Sequence, residues 1–382
     1  MRTELDENTR AWLTLKLTPG LGNVSLLKLI TRFGSPEAVC ADRIQAAAAV
    51  PGLRREAQEA LAAGRTTRAV DDEWRDLRAQ GWGLVCLGDP DYPDNLKNIA
   101  DPPAVLYVTS APEPRDLVSV AVVGSRSASP MGLIFTERLC ADLARRGVTV
   151  VSGFALGIDS AAHRGAIRGG GRTLAVLGCG LDVLYPRPNA DLRAAVMAHG
   201  GFLTEFPLGT PPLAGHFPQR NRILSGLALG VVVVEATAKS GSLITARCAL
   251  EQGREVFAVP GAAGNIRSLG PHLLLRQGAV LMESADDILE HLRPMIRPSG
   301  TPSAASPPAG AGRSDPEKSP MEHDLSPVEK TVLGLLGKDP VHVDRLCAQS
   351  GLTVPAVTAA LTALEIKGLV RQMPGKYFMR LS

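Results

Sequence analysis

The 382-residue chain has no Cys-x-x-Cys pair. Its six cysteines, at 40, 86, 140, 179, 248 and 347, stand far apart. That spacing argues against a zinc ribbon or a disulfide framework and for a reducing compartment. The charged start, MRTELDENTR, lacks an apolar signal core. The longest apolar run, around Val231–Val234, is far too short to cross a bilayer, so a cytoplasmic protein without membrane contact is expected. There is no strong charge of one sign either: the net charge is +3. Residues 83–290 hold eighteen Lys and Arg against nineteen Asp and Glu, and 325–382 hold seven against four. A polyanion bound by the middle of the chain must therefore be held by a local cluster and not by a global field.

Two nucleotide fingerprints are also missing. After the first buried strand, residues 124–129 read Gly-Ser-Arg-Ser-Ala-Ser, which is not G-x-G-x-x-G, and the expected acidic ribose clamp is replaced by Arg145 and Arg146. Lys239-Ser240-Gly241-Ser242 lacks the G-x-x-x-x-G-K-[ST] spacing. These absences weigh against an NAD enzyme and a P-loop ATPase.

The composition is that of a soluble globular protein, 45% hydrophobic and 21% charged, with length for two or three domains. Residues 1–82 read as helical. Thr18–Gly22 (TPGLG) and Val50–Arg54 (VPGLR) recur 32 residues apart, each before an apolar-periodic segment. Pro-Gly breaks one helix and permits φ > 0 before the next. Two such units suit a helix-hairpin-helix (SAM-like) domain that touches DNA phosphate, or a bundle used only for packing. Residues 83–293 alternate buried strands and helices, from GLVCL and AVLYV through LVSVAVVG, VTVVSG, RTLAVLGCG, FLTEFP, VVVVEA, EVFAVPG and AVLM. The expected fold is α/β, a Rossmann-like, doubly wound, mainly parallel sheet with ligands at its carboxyl rim. Residues 294–324, rich in Pro, Ala, Gly and Ser, read as a disordered tether. Residues 325–382 read as three helices and a hairpin around Pro374-Gly375, the order of a winged helix-turn-helix. The third helix, TVPAVTAALTALEIKG, is nearly uncharged, so DNA binding and protein docking are both open for it.

The chemistry sits in the loops. Gly124-Ser125-Arg126 offers a tight turn, a hydroxyl and a guanidinium suited to a phosphate, although Arg126 paired with a carboxylate is the plain alternative. Asp159 stands four residues before His163 on a helix, an acid–base pair or a cap beside a histidine. Gly178-Cys179-Gly180 repeats the small-residue pattern, with Asp182, Tyr185 and Asn189 nearby. In Phe217 to Arg222 (FPQRNR), Phe217 is placed to stack on a base and Arg220 and Arg222, flanking Asn221, to meet phosphates; a core phenylalanine beside salt bridges is the alternative. Lys239, Ser240, Gly241 and Ser242 add a cation, two hydroxyls and amides at a helix start.

Together AVVGSR, SGFALGIDSAAH, LAVLGCGLDVLYPRPN, LTEFPLGTPP, FPQRNRILSGLALGVVVVEATAKSGSLITARCALEQGREVFAVPG and SLGPHLLLRQGA resemble, in order, the motifs of the DNA-processing protein A (Smf) family, over roughly Gly83 to Leu289. The resemblance implies a dimerising Rossmann-like core that binds single-stranded DNA, shields incoming strands and loads a RecA-type recombinase in natural transformation, with no nucleotide cofactor and no catalytic or metal site. It implies DNA contacts at Gly124, Ser125, Arg126, Phe217, Arg220, Asn221, Arg222, Lys239, Ser240, Gly241 and Ser242, and leaves duplex DNA open as a second partner. The sequence departs from some relatives in having Ala214-Gly215-His216 where they carry a basic residue before the aromatic. Phosphate sites in a row along the rim fit a strand better than one nucleotide. Two other classes stand beside this reading. A Rossmann-like nucleotide phosphoribohydrolase needs an acidic cluster near this loop, for which only Glu235 and Glu251 are at hand; a winged-helix transcription regulator needs a recognition helix richer in polar residues than this one.

Overall fold

The computed structural model describes residues 1–296, 326–337, 341–366, 369–373 and 377–380. The expected tether lies almost entirely outside the described residues; the helix Ala285–Ile296 runs into its first three positions. The chain divides into two compact units, Met1–Thr301 and Pro302–Ser382.

In the first unit, nine strands form one sheet: β1 (Gly83–Cys86), β2 (Val105–Val108), β3 (Ser119–Val123), β4 (Thr149–Ser152), β5 (Thr173–Val176), β6 (Gly200–Thr204), β7 (Gly230–Val233), β8 (Glu255–Ala258) and β9 (Val280–Leu281). Their spatial order is β1-β2-β6-β5-β4-β3-β7-β8-β9. β3 to β9 run parallel, while β1 and β2 form an antiparallel edge against β6. The chain starts the parallel part at β3, winds outward through β4, β5 and β6, then returns to the other side of β3 at β7. The winding therefore reverses between β3 and β7, and their carboxyl ends open into the crevice where such sheets bind ligands.

Both faces of this sheet are covered, so its strands are apolar without interruption. In β3, Val120 and Val122 face one core cluster and Ala121 and Val123 the other; in β7, Val232 opposes Val231 and Val233 in the same way. The helices Pro130–Arg145 and Ile158–Arg168 lie on one side, and His216–Leu227 and Gly241–Glu251 on the other. The N-terminal helices build no separate core. Trp12, Leu13, Leu29 and Leu61 share one buried cluster with Ala175, Phe154 and Phe202. The two Pro-Gly turns have the expected backbone, with Gly20 at φ 72° and Gly52 at φ 81°. Gly20 lies against Ala57 of the second hairpin, so one hairpin packs on the other.

The second unit contains helices Pro327–Gly334, Val343–Ser350 and Val354–Ile366 and a small antiparallel sheet, ordered β10 (Val341–His342), β12 (Tyr377–Arg380), β11 (Val370–Met373). Ser326 and Glu329 form a reciprocal capping box at the first helix, as the Ser-Pro and acidic first turn predict. The short strand β10 joins the expected hairpin on its outer side.

Candidate nucleic-acid interface

The crevice between β3 and β7 is a cavity of about 240 Å³. Its lining brings together Gly124, Ser125 and Arg126 from the loop after β3, Phe217, Arg220 and Asn221 from the helix His216–Leu227, and Ser240, Gly241 and Ser242 from the end of the loop after β7 and the start of the helix Gly241–Glu251. Nine of the eleven predicted site residues thus meet in one place although they come from three separate stretches of chain.

Glycines in the neighbouring loop make this meeting possible. A Cβ on Gly157, at φ 78°, would collide with the carbonyl oxygen of Ser125, and one on Gly153 would collide with the Arg220 guanidinium. The glycine-rich SGFALG loop therefore makes room for the first loop and for Arg220. Its Phe154 holds φ at 58°, a conformation uncommon for a side chain of this size. Asn189 fixes it by donating from Nδ2 to the Phe154 carbonyl at 2.9 Å.

The helices that follow β3 and β7 differ at their N-termini. The helix Pro130–Arg145 is capped by side chains: Ser129 Oγ accepts from Gly132 N, and Glu235 accepts from Ser129 N at 2.8 Å and Ser129 Oγ at 2.5 Å. Glu235, one of two acids a hydrolase would have at hand, is thus engaged as a helix cap. The other, Glu251, is exposed at the end of its helix. The helix Gly241–Glu251 has no side-chain cap, because the Ser240 hydroxyl meets Ser242 Oγ at 2.9 Å instead. Gly241 and Ser242 at its start line the crevice, an arrangement that suits a phosphate.

The charges divide by depth. Arg126 is exposed, with its guanidinium carbon 5.1 Å from the Phe217 ring centroid. Arg220 is 4% exposed and donates from one terminal nitrogen to the Val176 carbonyl at 2.6 Å, leaving Nε without a partner. Burial lowers its pKa, against the pull of Asp159, and burial raises the pKa of Asp159 against the pull of Arg220. Asp159 also lines the cavity, accepting from Ala155 N at 3.3 Å. It makes no pair with His163: that ring is fully buried, with Nδ1 2.7 Å from Thr173 Oγ1, and burial pushes its pKa down to about 3. A neutral, enclosed imidazole facing a threonine is a core histidine, so the acid–base alternative for this pair finds no geometry here.

Two predicted residues stand outside the cavity. Lys239 is exposed beside it. Arg222, on the other side of its helix from the crevice, pairs with Asp101 at 2.9 Å and with buried Glu205 at 2.6 Å. Sequence reading missed Thr237, which lines the cavity, and Arg267, whose Nε donates to the Ser127 carbonyl at 2.9 Å and braces the first loop. No local signal marks Arg267, because its partner is 140 positions away.

Residues 83–293 match the family model of DNA recombination-mediator protein A, more than half of the chain. The chain belongs to the DNA processing protein A (Smf) family. A second family model, the winged helix domain of DNA processing protein A, matches residues 316–376. Protein Smf of Escherichia coli is 41% identical over 85% of this chain and 83% of its own length. The crystal structure of DNA processing protein A from Streptococcus pneumoniae superposes with a TM-score of 0.65 at 35% identity, covering 75% of this chain and 98% of that one. Its Helicobacter pylori counterpart, whose structure concerns a single-stranded DNA binding mode, gives a TM-score of 0.50 at 28% identity, over 56% and 96% of the two chains. The family fold fits the mainly parallel sheet and the winged helix expected from sequence. Among the described residues, no helix is long and apolar enough to cross a membrane.

Proposed function

We propose that this chain binds single-stranded DNA along the carboxyl rim of its parallel sheet, in the manner its family relatives suggest. It shields incoming strands and loads a RecA-type recombinase on them during natural transformation and recombination, acting in the cytoplasm as a homodimer without a nucleotide cofactor. The observation that carries the reading is the convergence of Arg126, Phe217, Arg220 and the uncapped start of Gly241–Glu251 on one crevice. Amides, hydroxyls and guanidinium groups recognise phosphate whatever the sequence attached to it, and an aromatic ring stacks on any base. Arg126 and Lys239 are exposed on the rim, as a backbone that passes over the crevice requires. Arg222, with its two carboxylates, holds the helix that presents Phe217 and Arg220.

The test is fluorescence anisotropy of a labelled oligo-dT at two salt concentrations, with unlabelled duplex and ATP as competitors. Tight, salt-sensitive binding that neither competitor displaces is expected. Arg126→Ala weakens binding to strands of different sequence by similar factors and makes the log–log salt slope shallower by roughly 0.7 per lost phosphate contact. Weak strand binding, displaced by a mononucleotide, overturns the reading and makes the crevice a nucleotide pocket.

A further inference from the structure

A second cavity, of about 310 Å³, lies at the opposite end of β3 from the crevice, lined by Ser119 at the start of that strand and by Leu227 just before β7. It follows from how this face of the sheet is covered. The helix His216–Leu227 packs on β3, β4 and β5. Toward β6 and β2 the cover is the segment between β1 and β2, whose one helix, Asp94–Lys97, has four residues. Tyr92, Leu96 and Ile99 of that segment share a core cluster with Leu106, Val108 and Leu203. So short an element leaves a gap that a full helix would close, and the floor of the gap is Leu174, Leu203 and Leu227. The walls are stiff, because the rings of Pro90, Pro93, Pro112 and Pro114 fix their φ angles.

The polar chemistry of the wall has one sign. Its uncharged donors are spent inside the protein: Tyr92 Oη donates to the Pro103 carbonyl at 2.8 Å, Ser119 Oγ to the Leu227 carbonyl at 2.8 Å, and Asn95 Nδ2 to the Leu117 and Leu227 carbonyls at 3.0 and 2.9 Å. Its charged residues are four carboxylates, and no Lys, Arg or His lines the cavity. Asp116 is buried and held by Arg172 and Thr149, Glu113 pairs with Arg172 and Arg115, and Asp91 pairs with the Met1 ammonium. Among the described residues the Asp94 side chain pairs only with Lys97, at 2.9 Å, an exposed contact that is worth little and readily exchanged. We propose that this cavity binds a small organic amine, with a ring-sized apolar body on the leucine floor and the ammonium at Asp94. An apolar cavity of about 150 Å³ takes up benzene, and about twice that volume holds a ring with a short chain. A wall that offers acceptors and no free donor draws a cation and turns an anion away. The site is therefore opposite in character to the phosphate-suited crevice at the other end of β3.

The experiment titrates the full chain with phenethylamine and with phenethyl alcohol, which share ring and chain and differ in charge, and follows the probes by saturation-transfer NMR. Both are expected to bind, the amine about 1.5- to 5-fold more tightly, as one exposed ion pair supplies. Asp94→Asn, at a side chain 63% exposed and so safe for the fold, brings the amine down to the alcohol. Leu203→Phe fills the floor and loses both probes. Should that variant fail to fold, Leu117→Ser, at a lining position 42% exposed, weakens both instead. Phe217→Ala, which opens the wall of the crevice, leaves both unchanged. The inference is overturned if neither probe binds, if the filled or trimmed cavity binds them as wild type does, or if the preference for the amine survives Asp94→Asn. Loss of the probes in Phe217→Ala places them in the crevice and overturns it too. None of these outcomes bears on strand binding, which the oligo-dT titration reads separately.

Discussion

The arginines of the FPQRNR stretch look alike in sequence and differ in the fold. Arg220 faces the crevice; Arg222 faces Asp101 and Glu205. Removing Arg222 strands the Glu205 carboxylate, which is 5% exposed. Breaking such a buried pair costs roughly 3 kcal/mol or more. Urea denaturation of Arg222→Ala should register that loss, while the salt slope of its strand binding stays at the wild-type value; a shallower slope would place Arg222 on the phosphates. Arg126→Ala is the mirror case, with weaker binding and an unchanged unfolding midpoint, because its side chain is exposed. His163 gives a third signature. Its pKa is about 3 in the folded chain, against an ordinary 6.5, because burial opposes the charge. The unfolded chain binds the extra proton first, so stability is full above about pH 6.5 and falls as the pH drops toward 3, by about 2 kcal/mol at pH 5. A His163→Gln variant should lack this part of the acid loss when the pH dependence of thermal melting is compared with wild type.

At the scale of elements, strands and helices were legible because their periods are strong. Four consecutive valines mark a strand covered on both faces, and each buried run predicted in 83–293 became a strand of the sheet. The loops were legible as small-residue turns, yet their purposes were not. SGFALG reads in sequence only as a small-residue turn, but its Gly153 and Gly157 exist because Arg220 and Ser125 pass too close for a side chain. That distance is a property of packing between loops far apart in sequence, and no local pattern encodes it. Gly157→Ala measures it: φ is positive and the added methyl meets the Ser125 carbonyl, so a loss of at least 1–3 kcal/mol is expected, with weaker strand binding as the first loop shifts. A variant that melts with wild type would mean that the two loops are free to part. The cap Glu235–Ser129 was equally invisible, since 106 residues separate its partners.

For the whole molecule, the two compact units divide the work unequally. The crevice is built wholly from the first unit. Deleting 325–382 should therefore leave most single-strand affinity, measured by the same anisotropy titration; a collapse of binding would move the site to the winged helix. The described part of its third helix, Val354–Ile366, carries Glu365 as its one charged residue, which suits contact with protein as well as with DNA. The helices of 1–82 are another matter, because their core is the sheet's core.

That shared core sets an order of assembly. Trp12 and Leu13 leave the ribosome well before Ala175 and Phe202, which complete their cluster more than 160 positions later. Local helices form quickly, whereas contacts of such separation wait for loop closure. For the time taken to synthesise most of the sheet, the two Pro-Gly hairpins thus lack the sheet side of their core. During that interval the apolar face of the N-terminal segment is the part of the nascent chain that depends on shielding by others.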